Sequence, residues 1–439
     1  MTALKQFLDV LDKTQWLPAH ELASYQRRPL GKLVRHAYET VPFYSDRIGV
    51  LFRKDGTIDW DRWDEVPFLT KSDIHDHADQ LTSRKIPEKH GEVRVVHTSG
   101  TTGPPTAVKK TALTTLAANA ASARFHDWHG IDRNLKLASI RLAPPGKADY
   151  PHGHHADVWS GYADYVDCRG PYALLTVNTP LHEQAEWLSR EKPDYLHTHA
   201  GNAGALAAFI ADNPTLAEAL DLKKILTLAE ILTDETRRLC REHLDTDIAD
   251  CYSSHECGIF ALQCPTNRHY HIQSEVIRVE VLDESGKPTP PGDYGQVIAT
   301  PLYNLAMPLI RYKVEDYAVP GETCTCGRHL PVLDCIAGRT RNFFRFPDGS
   351  KVQPNFGHRL FIDSLRPRQW QVAQTGPLVI EVRYVPAEDR ELPDLDRMTA
   401  RIHRLLRKDL NVRYRAMNEI PLTPGGKFED YVCELPDDV

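Results

Sequence analysis

Apolar and polar positions along this chain change period twice, and the changes divide it into three stretches. Up to about residue 90, apolar residues such as Leu8, Leu11, Leu17 and Leu22 recur near the helical period of roughly 3.6 residues, separated by polar turns. This stretch predicts helices. From about 92 to 300, short β-prone runs alternate with helical ones. Val93, Val95 and Val96 mark a strand, 112–126 an alanine-rich helix, 204–211 a helix and 224–228 a strand. Such alternation predicts a largely parallel sheet with helical crossovers. Runs 276–282 and 295–300 predict antiparallel strands joined through Glu284-Ser285-Gly286-Lys287-Pro288. Beyond residue 341 a turn at Pro347-Asp348-Gly349-Ser350, a strand over 378–382 and an amphipathic helix over 395–410 predict a small α+β module. The fold class expected is α/β: a large N-terminal domain over 1–339 with mixed, largely parallel sheets, and a small C-terminal domain over 340–439.

Composition narrows the function classes. A chain of 439 residues with 41% apolar and 26% charged residues is an ordinary globular protein with ample core. Its net charge of −7 argues against a general nucleic-acid surface. It lacks an apolar run of roughly 18 residues, so no membrane partner is expected. Asp9 and Asp12 interrupt the N-terminal stretch, which has no signal-peptide core, and a cytoplasmic location follows as the expectation. Nine cysteines in such a chain read as thiols or metal ligands rather than disulfides.

The densest chemistry lies in His97-Thr98-Ser99-Gly100-Thr101-Thr102-Gly103, directly after the Val93–Val96 run. Glycines let backbone N–H groups approach an anion, and Ser/Thr hydroxyls add donors. A phosphate chain is the natural guest, although the G-x-x-x-x-G-K-[ST] spacing is absent. Ala229-Glu230, Tyr252-Ser253-Ser254-His255-Glu256, Arg311-Tyr312-Lys313-Val314-Glu315-Asp316, Gly338-Arg339-Thr340-Arg341 and Gly426-Lys427 follow in that order. Together these segments resemble the signatures of the adenylate-forming superfamily of acyl-CoA synthetases, adenylation domains and luciferases. Within it the chain is most similar to the phenylacetate–CoA ligase branch, with its capsule-biosynthesis and coenzyme F390 synthetase-like relatives. Leu33-Val34-Arg35-His36-Ala37-Tyr38, Val41-Pro42-Phe43-Tyr44, Pro67-Phe68-Leu69-Thr70-Lys71, Cys264-Pro265 and Cys324-Thr325-Cys326-Gly327-Arg328 carry that closer likeness.

The resemblance implies an ATP-dependent, AMP-forming ligase that converts an acid to an acyl-adenylate. Ser99, Gly100, Thr101, Thr102 and Gly103 would hold the β- and γ-phosphates. Thr106 stands where most of the superfamily has lysine; Lys109 and Lys110 follow close by and are read either as its replacement or as a solvated pair. Ala229, Glu230, Tyr252 and Ser253 would line the adenine site. Glu256 would be a Mg²⁺ ligand, and hard oxygen ligands suit that ion. Asp316 would accept both ribose hydroxyls, since two carboxylate oxygens face two donors; here Val314-Glu315 replaces the usual Thr-Gly. Arg339 would reach the ribose or phosphates. Lys427, in the loop Pro421-Leu422-Thr423-Pro424-Gly425-Gly426-Lys427, would be the catalytic lysine. Rotation about Thr340-Arg341 would make the C-terminal domain mobile and insert or withdraw it.

Cys257, Cys264, Cys324 and Cys326, with His269 and His271, form a second constellation. Paired thiolate and imidazole clusters suit tetrahedral Zn²⁺. Cys264, Cys324 and Cys326 are the expected ligands; the fourth is His271, His269 or Cys257, and the resemblance favours His271. The His152/His154/His155 loop reads as a metal site, an acid-pocket loop or a plain surface loop. His126, Trp128 and Asn202 are candidate pocket walls. CoA is the expected co-substrate and acyl acceptor, with an aromatic or small organic acid as donor. Transfer to an amine, giving an amide, is the alternative, and a non-catalytic nucleotide-binding or zinc-stabilised scaffold a third reading. The sequence leaves a homodimer open.

Overall fold

A computed structural model describes residues 2–97, 106–159, 168–339, 343–352, 354, 361, 364–365, 367–386, 394–420 and 429–436. Helices Ala3–Thr14 and Ala19–Thr40 open the chain. Leu4, Leu8 and Leu11 form one buried stripe on the first, as their spacing requires. Helix Ala112–Trp128 starts where Thr111 and Thr114 cap each other's backbone N–H groups. The expected strand over 224–228 is present, and the expected helix over 204–211 begins four residues earlier, as Ala200–Ala211.

Among the described residues the main sheet has twelve strands. Their order is Ile277–Leu282, Gly295–Pro301, Tyr312–Pro320, Val332–Arg339, Tyr270–Ile272, Gly258–Gln263, Ile248–Ser254, Lys224–Leu228, Tyr195–His199, Leu137–Arg141, Tyr172–Thr176, His154–Ala156. Strands from Ile248–Ser254 to Tyr172–Thr176 pair in parallel, and antiparallel strands flank them on both sides. The sheet is therefore mixed, with a parallel centre. Two hydrophobic clusters cover it. One joins the N-terminal helices to the antiparallel half through Leu11, Leu33, Phe260, Leu262, Val297 and Leu333. The other packs Trp187, Leu206 and Leu239 on the parallel half.

Residues after 343 build a separate cluster from Phe344, Phe361, Trp370, Val372, Ile380 and Ile402. Its four-stranded sheet runs Asn411–Ala416, Val379–Pro386, Pro367–Gly376, Tyr431–Cys433. The helix Leu395–Leu405 stops short of the expected 410. Arg407 and Asp409 pair with each other in the turn that follows, and Leu410 is buried just before the next strand. Strands Pro367–Gly376 and Asn411–Ala416 were not among the expected elements, although Trp370 and Val372, and Val412 and Tyr414, alternate there with glutamine and arginine. No helix of the described residues is long and apolar enough to cross a membrane.

Candidate active site and metal cluster

Strands Tyr312–Pro320 and Ile248–Ser254 stand four places apart in the sheet. In a flat sheet that is ~19 Å at the usual strand spacing. Yet the Tyr252 phenol donates to Asp316 Oδ2 at 2.7 Å. The antiparallel half must therefore curl on itself. Tyr252 is fixed from below by stacking on Phe260, with centroids 4.6 Å apart.

Asp316 is placed by a bulge. Gln296 pairs with Tyr317 and Ile298 with Lys313, so Val314, Glu315 and Asp316 stand opposite Val297 alone. Glu315 takes φ +69°, the left-handed conformation that suits the glycine it replaces in the Thr-Gly pattern. The substitution thus keeps the turn at the cost of local strain. On the other side Asp316 pairs with Arg339 across neighbouring strands. Two residues expected at the nucleotide, 23 positions apart in sequence, are direct neighbours.

Glu256 sits in the turn between the Ile248–Ser254 and Gly258–Gln263 strands, where Ser254 Oγ accepts the Cys257 N–H at 3.1 Å. Lys110 donates to the His255 carbonyl oxygen at 2.7 Å and faces Glu256. Lys109, one residue earlier on an alternating strand, donates instead to Thr82 Oγ1 at 3.0 Å. Tyr312 joins the group: burial and then Glu256 push its phenol far up, so it stays a neutral donor. The motif reading passed over Tyr312; its position beside Arg311 in the aspartate segment was the signal. Arg311 itself turns away, buried, with Nη1 donating to the carbonyl oxygens of Trp63, Asp64 and Val66. It ties the N-terminal segment to the sheet.

Glu230 Oε2 accepts the Gly201 N–H at 2.9 Å, at the first turn of the helix Ala200–Ala211. Ala229 precedes it with φ +66°. One carboxylate oxygen of Glu230 therefore satisfies a helix end. Ser253 lies on the strand beside Tyr252. The expected phosphate-loop residues Ser99, Gly100, Thr101, Thr102 and Gly103, the hinge Thr340-Arg341 and the catalytic Lys427 lie outside the described residues.

The second constellation comes together as a tight set. Ligand atoms of Cys264, His271, Cys324 and Cys326 all lie within 4.8 Å of one another. Cys264 Sγ and Cys324 Sγ are 3.8 Å apart, and Cys326 Sγ is 3.3 Å from His271 Nε2. A tetrahedral zinc with bonds of ~2.3 Å to sulfur separates two thiolates by ~3.8 Å. The other ring nitrogen, His271 Nδ1, is 3.3 Å from the Leu330 carbonyl oxygen, which directs Nε2 into the cluster. The two alternatives for the fourth ligand fall away. His269 packs edge-on to His271 outside the set, and Cys257 lies beside Lys110 and Glu256 at the opposite end of the Gly258–Gln263 strand. Around the cluster Arg328 lies over Trp16 and Trp128, and its Nε donates to Gln15 Oε1 at 3.0 Å. The cysteine loop thereby clamps the end of the first helix.

The pocket candidates divide. His126 is buried edge-on to Trp159, and burial lowers its pKa to about 3, so it is neutral. His197 shares that neutral environment, pushed down by burial and by Arg141. Trp128 instead packs against His271. Asn202 donates to Gln184 Oε1 and Thr198 Oγ1 on the opposite face of the sheet. His155 pairs with Glu191 at 3.0 Å, and His152, His154 and His155 form no metal cluster among the described residues.

No family model matches the chain. It is 29% identical over 336 residues to a phenylacetate–coenzyme A ligase of Thermus thermophilus, covering 74% of this chain and 72% of that one. It is 20% identical to protein CapK of Staphylococcus aureus over 419 residues, covering 93% and 88% of the two chains. Among solved structures, 2-hydroxyisobutyryl-CoA ligase in the postadenylation state superimposes with a TM-score of 0.74, at 18% identity, over 97% of this chain and 92% of that one. Across about three quarters of its length the chain is similar in sequence to the phenylacetate–CoA ligases, and across nearly all of it the chain has the fold of the adenylate-forming acid–CoA ligases.

Proposed function

We propose that the protein activates a carboxylic acid with ATP and passes the acyl group to CoA. The acid's carboxylate oxygen attacks the α-phosphorus and pyrophosphate leaves. The thiolate of CoA then attacks the acyl carbon and AMP leaves. The single observation that carries this reading is the convergence of Tyr252, Asp316, Glu256 and Tyr312 inside the curled sheet. Tyr252 presents a ring face for the adenine and Asp316 a carboxylate for the ribose. Glu256 would be the oxygen ligand for Mg²⁺, which would neutralise phosphate charge. Ser99, Gly100, Thr101, Thr102 and Gly103 supply N–H and hydroxyl donors for the β- and γ-phosphates.

Lys427 donates to the oxygens on which charge develops during adenylation. It belongs to residues 340–439, which form a second, mobile domain in this reading. Rotation about Thr340-Arg341 withdraws the lysine and admits the acceptor. Cys264, His271, Cys324 and Cys326 would hold a structural Zn²⁺, since four protein ligands make a closed site. The acid is aromatic or small, and neutral His126 and His197 belong to the wall it meets.

Pyrophosphate release across a panel of aromatic and small acids tests the reading, run with CoA, with amines and with neither. Acid-dependent release that CoA accelerates, with acyl-CoA formed, is the expected outcome. Release accelerated only by an amine reassigns the acceptor. No acid-dependent release from the zinc-loaded protein overturns adenylation altogether.

A further inference from the structure

The glycine-rich segment contains four hydroxyl residues from Thr98 to Thr102 but no cation, and Thr106 at its end is buried. A triphosphate needs positive charge as well as N–H donors. The strands on either side of the segment, Val93–His97 and Ala107–Thr111, pair antiparallel, with His97 opposite Ala107. The second of them carries Lys109 and Lys110, whose side chains go opposite ways. Lys109 is committed to Thr82, towards the N-terminal segment. Lys110 reaches across to the turn that holds Glu256 and donates to the carbonyl of His255. One ammonium of the pair therefore stands beside the carboxylate assigned to the phosphate end of the nucleotide.

We propose that Lys110, held beside the Glu256 turn, binds the β- and γ-phosphates of ATP and the pyrophosphate product. The proposal rests on the nucleotide reading of the Glu256 site. An ammonium has three donors, and the His255 carbonyl takes one of them.

The test is equilibrium binding of ATP, pyrophosphate and AMP, with and without Mg²⁺, to the full chain and its Lys110→Ala, Lys110→Arg and Lys109→Ala variants. Lys110→Ala should weaken ATP and pyrophosphate at least ~10-fold, as for loss of one charge-assisted hydrogen bond. AMP should bind within ~2-fold of the parent, and Lys110→Arg should recover most of the loss. Lys109→Ala should leave all three ligands unchanged. The weakening should persist without Mg²⁺ and in a Glu256→Gln background. A loss confined to Mg²⁺ conditions, or abolished by Glu256→Gln, would mean that Lys110 only props the Glu256 turn, and would overturn direct phosphate contact. Unchanged ATP binding by Lys110→Ala overturns it too. Should the parent protein bind no ATP, the nucleotide reading itself fails, and the two failures are told apart by that control.

Discussion

The two ends of one strand, Gly258–Gln263, carry opposite kinds of site. At its far end Cys264 joins His271, Cys324 and Cys326, every ligand atom within 4.8 Å of the others and three of the four residues buried. The outer ring nitrogen of His271 is occupied by a carbonyl, and Asn267 donates to Cys324 Sγ at 3.4 Å. At its near end Glu256, Lys110, Tyr312, Tyr252 and Asp316 converge from three strands and a turn, without closing into a complete coordination shell among the described residues. A site that holds structure surrounds its ion with ligands already in place. A site that does chemistry leaves part of its hydrogen-bonding capacity for a guest that comes and goes.

The largest effect should come from breaking the closed end. Cys264→Ser should reduce metal content from about one Zn²⁺ per chain to near zero, measured by elemental analysis of protein purified without chelators. Because the cysteine loop clamps Gln15 and Trp16, unfolding should come about 10 °C lower, a loss of ~4 kcal/mol. Pyrophosphate release at low temperature should survive. If it vanished while the fold held, the metal would not be merely structural.

Next is Lys427, the lysine proposed to act in adenylation. Lys427→Ala should slow adenylate formation by ~10²-fold or more, the usual cost of losing one preorganised donor. Transfer from preformed acyl-adenylate should be nearly unaffected, and zinc content and melting temperature should not change. An undiminished adenylation rate would remove Lys427 from the mechanism.

A smaller effect is expected from Tyr252→Phe. It deletes the donor to Asp316 Oδ2 but keeps the ring stacked on Phe260. ATP affinity should fall ~5–10-fold, on the scale of one hydrogen bond of ~1 kcal/mol, with kcat changed less than KM. A change in kcat alone would mean that Tyr252 does not act through the bound nucleotide.

The smallest prediction concerns strain. Glu315→Gly should raise stability by ~0.5–1 kcal/mol, because glycine adopts the observed positive φ without steric penalty. Denaturant unfolding measures this, and KM for ATP should stay within ~2-fold. Destabilisation would show that the Glu315 side chain contributes more than its backbone costs.

Part of the candidate site was singled out in the chain because it lies in short segments. The aspartate segment and the Tyr252–Glu256 run stood out through their resemblance to the adenylate-forming superfamily, and the Cys-x-Cys pair through residue type and its neighbouring histidines. The strand Lys224–Leu228 was equally legible, as a short apolar run between polar neighbours. Other features were not, and each for a stated reason. Lys109 and Lys110 are chemically identical neighbours, and only the alternation of a paired strand sends one to Thr82 and the other to His255. Arg311 lies in the same segment as Asp316, yet its backbone, at φ +51°, aims it at three carbonyls of the N-terminal segment. Trp128 reads as a pocket aromatic, but its helix presents it to His271 and Arg328 instead.

The sequence by itself determined which groups are available: a segment rich in glycine and hydroxyls, two carboxylates at 256 and 316, a late lysine at 427, and thiols in two clusters. It also determined the alternation of helix and strand that makes a sheet with a parallel centre. Tertiary structure alone decided which of these groups meet. The curl brings strands four places apart to within a hydrogen bond, so Tyr252 reaches Asp316 across 64 residues of chain. The register of two neighbouring strands sets Asp316 beside Arg339. The pairing of Tyr270–Ile272 with Val332–Arg339 brings His271 to Cys326 and leaves Cys257 beside Lys110 and Glu256. Residue type and local period are properties of short windows, whereas sheet curvature and long-range register depend on how the whole core packs, which no window contains.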